Sequence, residues 1–257
     1  MFKITPNLPN WYHVHLRQTD STMEQIYRPI YEPEYCEFTV LPTDHQTEGH
    51  GQADTKWEAN AEENLLFSFT FHPQGVDAEQ IFSLSEALAL AVRESLQKVT
   101  GLPITVKWPN DVYCGDRKIC GMLLRHDLCG REITTTYTGV GINVNQSQFR
   151  SDAPNPVSVF QLTGRETNRA ALLRSVLDGF ERRYRQIQNG AAAELHREYM
   201  TNLYRGTGLH PFADNGGEFL AEIVDILPTG KLRLRREDGS EHEYFFKQVR
   251  FVLPSFQ

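Results

Sequence analysis

Lys107-Trp-Pro-Asn-Asp111, continued by Gly115-Asp-Arg-Lys118-Ile-Cys-Gly121-Met-Leu-Leu124, is the stretch on which the reading of this 257-residue chain turns. Ile104-Thr-Val-Lys-Trp108 reads as a short strand of β-branched and aromatic residues. Pro109-Asn110-Asp111 is a turn, because proline fixes φ and Asn and Asp tolerate turn conformations. Val112-Tyr-Cys114 resumes an extended run, Gly115-Asp116 makes a hairpin turn, and Lys118 to Leu124 returns as the partner strand. Such a hairpin holds Asn110, Asp111 and Lys118 on rigid backbone. An amide, a carboxylate and a cation close together suit the handling of a phosphate and its magnesium. On chemistry alone, an ordinary hairpin with charged turn residues is the default reading.

The flanks extend the pattern. Residues 11–17 alternate as a half-buried strand, and Gln18-Thr-Asp-Ser-Thr22 ends it with groups able to cap a helix over residues 23–30. A second strand is expected over residues 35–41. The stretch from Gln46 to about Asn64 is polar and carries Gly49 and Gly51, whose backbone could approach an anion. Read alone, it is a mobile surface loop of unusual length. Asn64-Leu-Leu-Phe-Ser-Phe-Thr-Phe71 is the strongest strand in the chain. Asp77 and Gln80 form a capping signal ahead of Ile81, Leu84, Leu88, Val92, Leu96 and Val99, which keep helical spacing up to Gly101. A β-rich run over residues 133–141 leads into Gly141-Ile-Asn143-Val-Asn145.

Residues 146–166 read as a polar connection. Leu173, Val176, Leu177, Phe180, Tyr184 and Ile187 mark one face of a long helix, and a shorter helix follows over 191–203. From Gly206 the texture changes to short strands parted by Gly230 and Gly239 turns, which predicts a small antiparallel barrel. The expected division is therefore residues 1–205 and 206–257.

Composition narrows the classes. Hydrophobic residues make up 40% and charged residues 23%, ordinary values for a globular protein. No apolar run approaches a membrane span or a signal peptide. A net charge of −7 argues against a dedicated nucleic-acid binder. Cys36, Cys114, Cys120 and Cys129 contain no Cys-x-x-Cys pair, so buried reduced thiols and a cytoplasmic location are expected.

The exact wording of the central hairpin carries more than its chemistry. Lys107-Trp-Pro-Asn-Asp111 followed by Arg117-Lys-Ile-Cys-Gly-Met-Leu-Leu124 closely resembles the catalytic hairpin of biotin protein ligases, which attach biotin to carboxylase carrier domains. The resemblance runs through the chain in order. Asp20-Ser21-Thr22 is similar to the family's Asp-Ser-Thr-Asn, with Met23 in place of the last residue. Gln46-Thr-Glu-Gly49 and Trp57 resemble the glycine-rich biotin loop, Asn64-Leu-Leu-Phe-Ser the core strand, and Gly141-Ile-Asn143-Val-Asn145 the family's Gly-Ile-Asn-x-Asn. Gly217-Glu-Phe and Phe246-Lys-Gln-Val-Arg-Phe251 resemble the C-terminal barrel.

The resemblance implies an α+β fold: a mixed sheet with helices packed on one side, as in class II synthetases and the biotin–lipoate ligase core, plus a small C-terminal antiparallel barrel. It implies a monofunctional enzyme, since the catalytic pattern starts within 20 residues of Met1 and leaves no room for a DNA-binding domain. Biotin would be held by Ser21, Thr22, Met23, Gln46, Gly49, His50, Gly51, Gln52, Gly121 and Leu123, with Lys118 reaching both its carboxylate and the α-phosphate. Trp57, Asn110, Asp111 and Asn143 would handle ATP. Lys118 and Asp111 would be the catalytic pair, and Asp111 would hold magnesium. ATP and biotin would be substrates, and the acceptor a biotin carboxyl carrier domain docking at a sheet edge. No nucleic acid or membrane partner is implied, and a homodimer is left open.

One departure stands out. The family loop usually reads Gly-Arg-Gly-Arg/Gln-x-Gly-x-x-Trp, whereas here His50 replaces the arginine and Asp54 the third glycine. A histidine with an ordinary pKa near 6.5 is mostly neutral at pH 7. Losing a cation ~4 Å from a phosphate costs up to about 4 kcal/mol at an effective dielectric of 20. Asp54, if it faces the anhydride, repels it, with Lys56 as a compensating cation. Weaker retention of biotinyl-AMP is the expectation. The alternatives are a biotin- or adenylate-binding homologue with impaired turnover, and a lipoate- or octanoate-transferring relative.

Overall fold

The computed structural model describes residues 8–28, 36–51, 55–151 and 155–254. In chain order, β1 (Trp11–His13) and β2 (Leu16–Thr19) lead into the short helix α1 (Thr22–Ile26), then β3 (Phe38–Gln46) and β4 (Leu65–Phe71). A 3-10 turn at Ala78–Gln80, in which Glu79 N–H donates to the Asp77 carboxylate, precedes α2 (Phe82–Thr100). Next come β5 (Ile104–Lys107), β6 (Asp111–Cys114), β7 (Arg117–Cys129) and β8 (Glu132–Ile142). The helices α3 (Val159–Thr163), α4 (Arg169–Gln188) and α5 (Ala192–Thr201) follow. The chain finishes with β9 (His210–Asp214), β10 (Gly217–Ile226), β11 (Leu232–Arg236), β12 (Glu241–Tyr244) and β13 (Arg250–Phe251). The helix expected over 23–30 stops at Ile26, a correction to its length, and residues 29–35, with the start of the strand expected at 35, lie outside the described residues.

The first sheet has the order β1-β3-β4-β8-β7-β6-β5, with β2 also along β3. It is mixed: β1 and β2 run parallel to β3, and all other pairs are antiparallel. Its middle strand β4 is buried throughout, which is why Leu65 to Phe71 is apolar with so little alternation. Phe67, Phe69 and Phe71 face the helix layer, where Phe69 meets Phe180 at 4.9 Å and Phe71 meets Tyr184 at 5.1 Å between ring centroids. α2 is buried along most of its length, pressed between the sheet and α4, and ends at Gly101 with φ +70°.

Of the described helices, the short α1 lies on the opposite face. Met23 and Ile26 form a separate small apolar cluster there with Leu41, flanked by Leu123 and Tyr137. That lightly covered face is the one that holds a cleft.

The second sheet has the order β12-β11-β10-β9-β13 and is entirely antiparallel. It is an open sheet, which corrects the expectation of a closed barrel. The outer strands are four and two residues long. Between them the chain makes a tight turn, with Gln248 N–H donating to the Phe245 carbonyl, where a closing ladder would run. The sheet rests on the first part of the fold through Trp108 Nε1 donating to Gly230 O at 2.9 Å and through Tyr204 against Phe251 at 6.0 Å. The ring of His196 on α5 joins them too, bridging Glu86 of α2 at 2.7 Å and Asp225 of β10 at 2.9 Å. The four cysteines are free thiols, but only Cys120 is buried and Cys129, near the end of β7, is exposed, which corrects the expectation of buried thiols.

Candidate active site

The hairpin forms as its residues require. Asp111 opens β6 opposite Lys107 on one side and Gly121 on the other. Asn110 is pinned at the turn: its carbonyl accepts from Met122 N–H at 2.9 Å, and its amide donates to Met122 O. In a regular strand Lys118 and Gly121, three residues apart, would point to opposite faces. The β6–β7 register shifts between Val112 and Tyr113, so Ile119 is an extra residue on β7, and Lys118 is turned onto the face of Gly121 and Asp111. Its backbone is locked by Asn155 O at 2.8 Å and Val157 N–H at 2.9 Å.

Lys118 Nζ lies 2.7 Å from Asp111 Oδ1, and Lys107 Nζ lies 4.0 Å from Oδ2. One carboxylate thus stands between two cations. Burial pushes the Lys107 ammonium below the usual lysine range, opposed by Asp111 and reinforced by Lys118. Lys107 also sits over the rings of Phe251 (4.7 Å) and Tyr113 (5.3 Å), which ties the second sheet to the site.

Below these charges is a floor of bare backbone. Gly121 pairs with Gly141, and Gly139 pairs with Leu123, on adjacent strands. A Cβ at Gly141 would come within 2.6 Å of Trp57 Cε2, and one at Gly121 within 2.9 Å of Trp57 Cζ3. The indole therefore lies directly on main chain, with Lys118 Nζ 5.6 Å from its ring centroid. Beyond β8, Asn143 donates from Nδ2 to Val157 O at 3.2 Å, while its buried Oδ1 has no hydrogen-bond partner among the described residues.

At the other end, Gln46 Oε1 accepts from Thr22 N–H (2.8 Å) and Thr22 Oγ1 (2.9 Å), and Ser68 Oγ donates to Thr22 Oγ1 (2.8 Å). Gln46 thereby spends its oxygen inward, leaving the amide nitrogen as the group it presents elsewhere. Ser21 is the N-cap of α1 but makes no side-chain cap bond. Asp20 turns aside as well: the Gln25 amide, the Thr19 hydroxyl and the Ser21 N–H hold its carboxyl well below the usual range.

The loop expected to be mobile folds as a narrow hairpin over the cleft. Thr47 and Glu48 N–H donate to Thr19 and Asp20 carbonyls, Gly51 N–H to Thr55 O, and Trp57 N–H to Gly49 O. His50 pairs with Lys56, and its ring lies 3.0 Å from Glu48 O and 3.6 Å from Glu24 Oε1. Its rim is fastened by Glu58, whose carboxylate accepts from Ser151 N–H at 2.7 Å and Arg150 N–H at 2.8 Å. Burial raises that carboxyl and these donors more than reverse the effect.

The resulting cleft has a volume of about 1050 Å³. Ser21, Thr22, Met23, Gln46, His50, Gly51, Trp57, Asn110, Asp111, Lys118, Gly121, Leu123 and Asn143 all line it. Gly49 does not: it forms the neck of the loop, where a Cβ would meet Gln46 Nε2 at 2.8 Å and Trp57 O at 3.1 Å. Gln52, Ala53 and Asp54 lie outside the described residues. Lining residues that sequence reasoning missed include Lys107, Glu58, Arg150 and, from the second sheet, Lys247 and Arg250. Lys107 stood in the opening motif and Lys247 and Arg250 in the quoted C-terminal stretch; Glu58 and Arg150 had no local signal.

No three His, Cys, Asp or Glu side chains gather into a metal site among the described residues. Asp111 and Glu58 are the carboxylates that line the cleft, and a magnesium ion held there would take its other ligands from phosphates and water. No helix among the described residues is long and apolar enough to cross a membrane.

A profile of the Biotin/lipoate A/B protein ligase family matches residues 16–143. The bifunctional ligase/repressor BirA of Bacillus spizizenii is 26% identical over 216 residues, 81% of this chain and 65% of that protein, so the chain spans about two thirds of that relative. The biotin–[acetyl-CoA-carboxylase] ligase of Mycobacterium tuberculosis is 28% identical over 76% of this chain and 72% of its own length. The biotin protein ligase from Aquifex aeolicus, solved in complex with biotin and ATP, superimposes with a TM-score of 0.77 at 25% identity, covering 93% of this chain and 99% of that one. On the profile match, the relatives and the shared fold, the chain is a member of the biotin/lipoate A/B protein ligase family.

Proposed function

We propose that this protein is an ATP-dependent biotin protein ligase, which activates biotin as biotinyl-5′-AMP and transfers it to a lysine of a biotin carboxyl carrier domain. The observation that carries this reading is Lys118, turned by its bulge to face Asp111 at 2.7 Å above a glycine floor roofed by Trp57. The relatives named as biotin ligases, one of them with biotin and ATP bound, support the choice of substrates.

A carboxylate is already an adequate nucleophile, so adenylation needs no general base. An oxygen of the biotin carboxylate attacks the α-phosphorus and pyrophosphate leaves. What the site must supply is alignment and neutralisation of charge. Lys118 would contact both reacting partners, and Lys107 would add a second, half-buried cation. Asp111 would hold magnesium, which when bound neutralises phosphate charge. Asn110 and Asn143 would position the nucleotide, while Thr22 and Gln46 would face the polar ring of biotin. The product is a mixed anhydride that water destroys, and the Trp57 hairpin would exclude water until an acceptor amine attacks the acyl carbon and AMP leaves.

The test is single-turnover incubation with ATP and biotin, followed by a biotin-free carrier domain. Formation of the adenylate and its transfer supports the reading. Biotin binding without adenylate would instead make the protein a binding homologue.

A further inference from the structure

Gly139 lies on β8 between Ser68 of β4 and Leu123 of β7. A Cβ there would come within 2.6 Å of Met23 Cγ and 2.8 Å of Met23 Sδ, with Ser68 Oγ at 3.7 Å. The Met23 thioether is therefore seated on bare backbone, closer than any residue but glycine allows. The side chain is 4% exposed and packs with Ile26 and Leu41, yet it lines the cleft. Its neighbour Thr22 begins the hydrogen-bonded run shared with Gln46 and Ser68. An apolar wall and a polar relay thus meet over one glycine.

We propose that Met23, seated on Gly139, is the specificity-determining wall for the ring end of the acyl ligand. This rests on the biotin ligase reading and says how the site chooses its ring. Polar selection is confined to the Thr22–Gln46 side, and the Met23 side selects a ring-bearing carboxylic acid by shape. An apolar wall discriminates by about 10- to 200-fold per methylene, far less than a site built to hydrogen-bond the ligand. Methionine, unbranched and polarizable, fits itself to what it touches, and on this site it can retreat only as far as the floor permits.

The test uses the full chain, with biotin, lipoate and ATP titrated separately by calorimetry. Gly139→Ala drives Met23 into the pocket and weakens biotin binding at least about tenfold, with ATP binding changed less than about twofold. Met23→Ala in the Gly139→Ala background restores most of the loss. Met23→Ala alone deepens the pocket and narrows the preference between biotin and lipoate by about tenfold or more. Gly139→Ala binding biotin like the parent, or a double variant no better than Gly139→Ala, overturns the proposal. Should Gly139→Ala fail to fold, an unchanged preference in Met23→Ala overturns it. If the parent binds lipoate and not biotin, the biotin reading falls while the same rescue read on lipoate supports the wall. Binding of neither overturns both.

Discussion

Gly141→Ala is the sharpest probe of the roof over the site. The added carbon would stand 2.6 Å from Trp57 Cε2, 2.8 Å from Nε1 and 2.9 Å from Cζ2, three atoms of one rigid ring. Ordinary contact is about 3.5–4.0 Å, so the indole must lift by about 1 Å. It cannot swing away freely, because the Trp57 backbone N–H is tied to Gly49 O and the hairpin that carries the ring is closed by Gly51 and Thr55. Overpacking of this size costs about 1–3 kcal/mol. The cost falls on closure of the roof and leaves the core alone, since Trp57 is half-buried and β8 keeps its ladder to β4 and β7. The expectation is loss of biotinyl-AMP about five- to a hundredfold faster, with the melting temperature nearly unchanged. Gly121→Ala should do less, because two of its three closest atoms belong to the flexible end of Lys118 at 3.3 Å. Release of labelled adenylate, chased with unlabelled biotin and ATP, measures the rate. Equal release from Gly141→Ala and the parent would refute the reasoning, as would a fall in melting temperature without faster release.

Three further outcomes follow from the geometry. Lys118→Met removes a cation from the phosphate site, worth about 4 kcal/mol at 4 Å in an effective dielectric of 20, so single-turnover adenylation should slow by about a thousandfold; a loss below tenfold would exclude it from the chemistry. His50→Arg should lengthen adenylate retention by about tenfold, less than the bare Coulomb figure, because Glu24 at 3.6 Å competes for the new charge; the adenylate off-rate decides it. The Glu86 carboxylate, against burial and with help from Asp225, raises the His196 pKa to about 9. The folded protein therefore holds a proton there that the unfolded chain releases near pH 6.5, and the gain is complete below that value and lost as pH rises through about 9. With the ring about a third exposed, the loss across that window is about 1–3 kcal/mol. Denaturant titrations at pH 6.5 and 9.5 should show the slope in the parent and not in His196→Ala; equal slopes would count against the assignment.

Much of the frame was legible because local chemistry and tertiary environment agree. β4 reads as a central strand and is one; Gly115 and Asp116 mark the hairpin turn where β6 gives way to β7. The helix over α4 shows its apolar face in the predicted positions. Other elements were hidden by brevity. α3 is a five-residue helix in a polar stretch, although its Ser158 and Gln161 form a capping box that could have been read. β9 carries a weak strand signal, because His210 and Pro211 obscure it and only Phe212 and Ala213 are buried. Within the site, the described motif residues other than Gly49 line one cleft. What the sequence could not disclose are contacts made by distant chain: Ser68 on Thr22, Glu58 on the 150–151 backbone, Phe251 under Lys107. The bulge at Ile119 was equally invisible, since it exists only as a relation between two strands.

The floor of three glycines has a consequence for how this pocket can change over time. A glycine offers no side chain to remove, so every substitution at positions 121, 139 or 141 adds volume and the floor can only rise. Above the floor itself, room is gained by trimming the residues that press down on it, Met23 and Trp57. New substrates are admitted from above, and selection acting on this site works with a ratchet on one side and a hinge on the other.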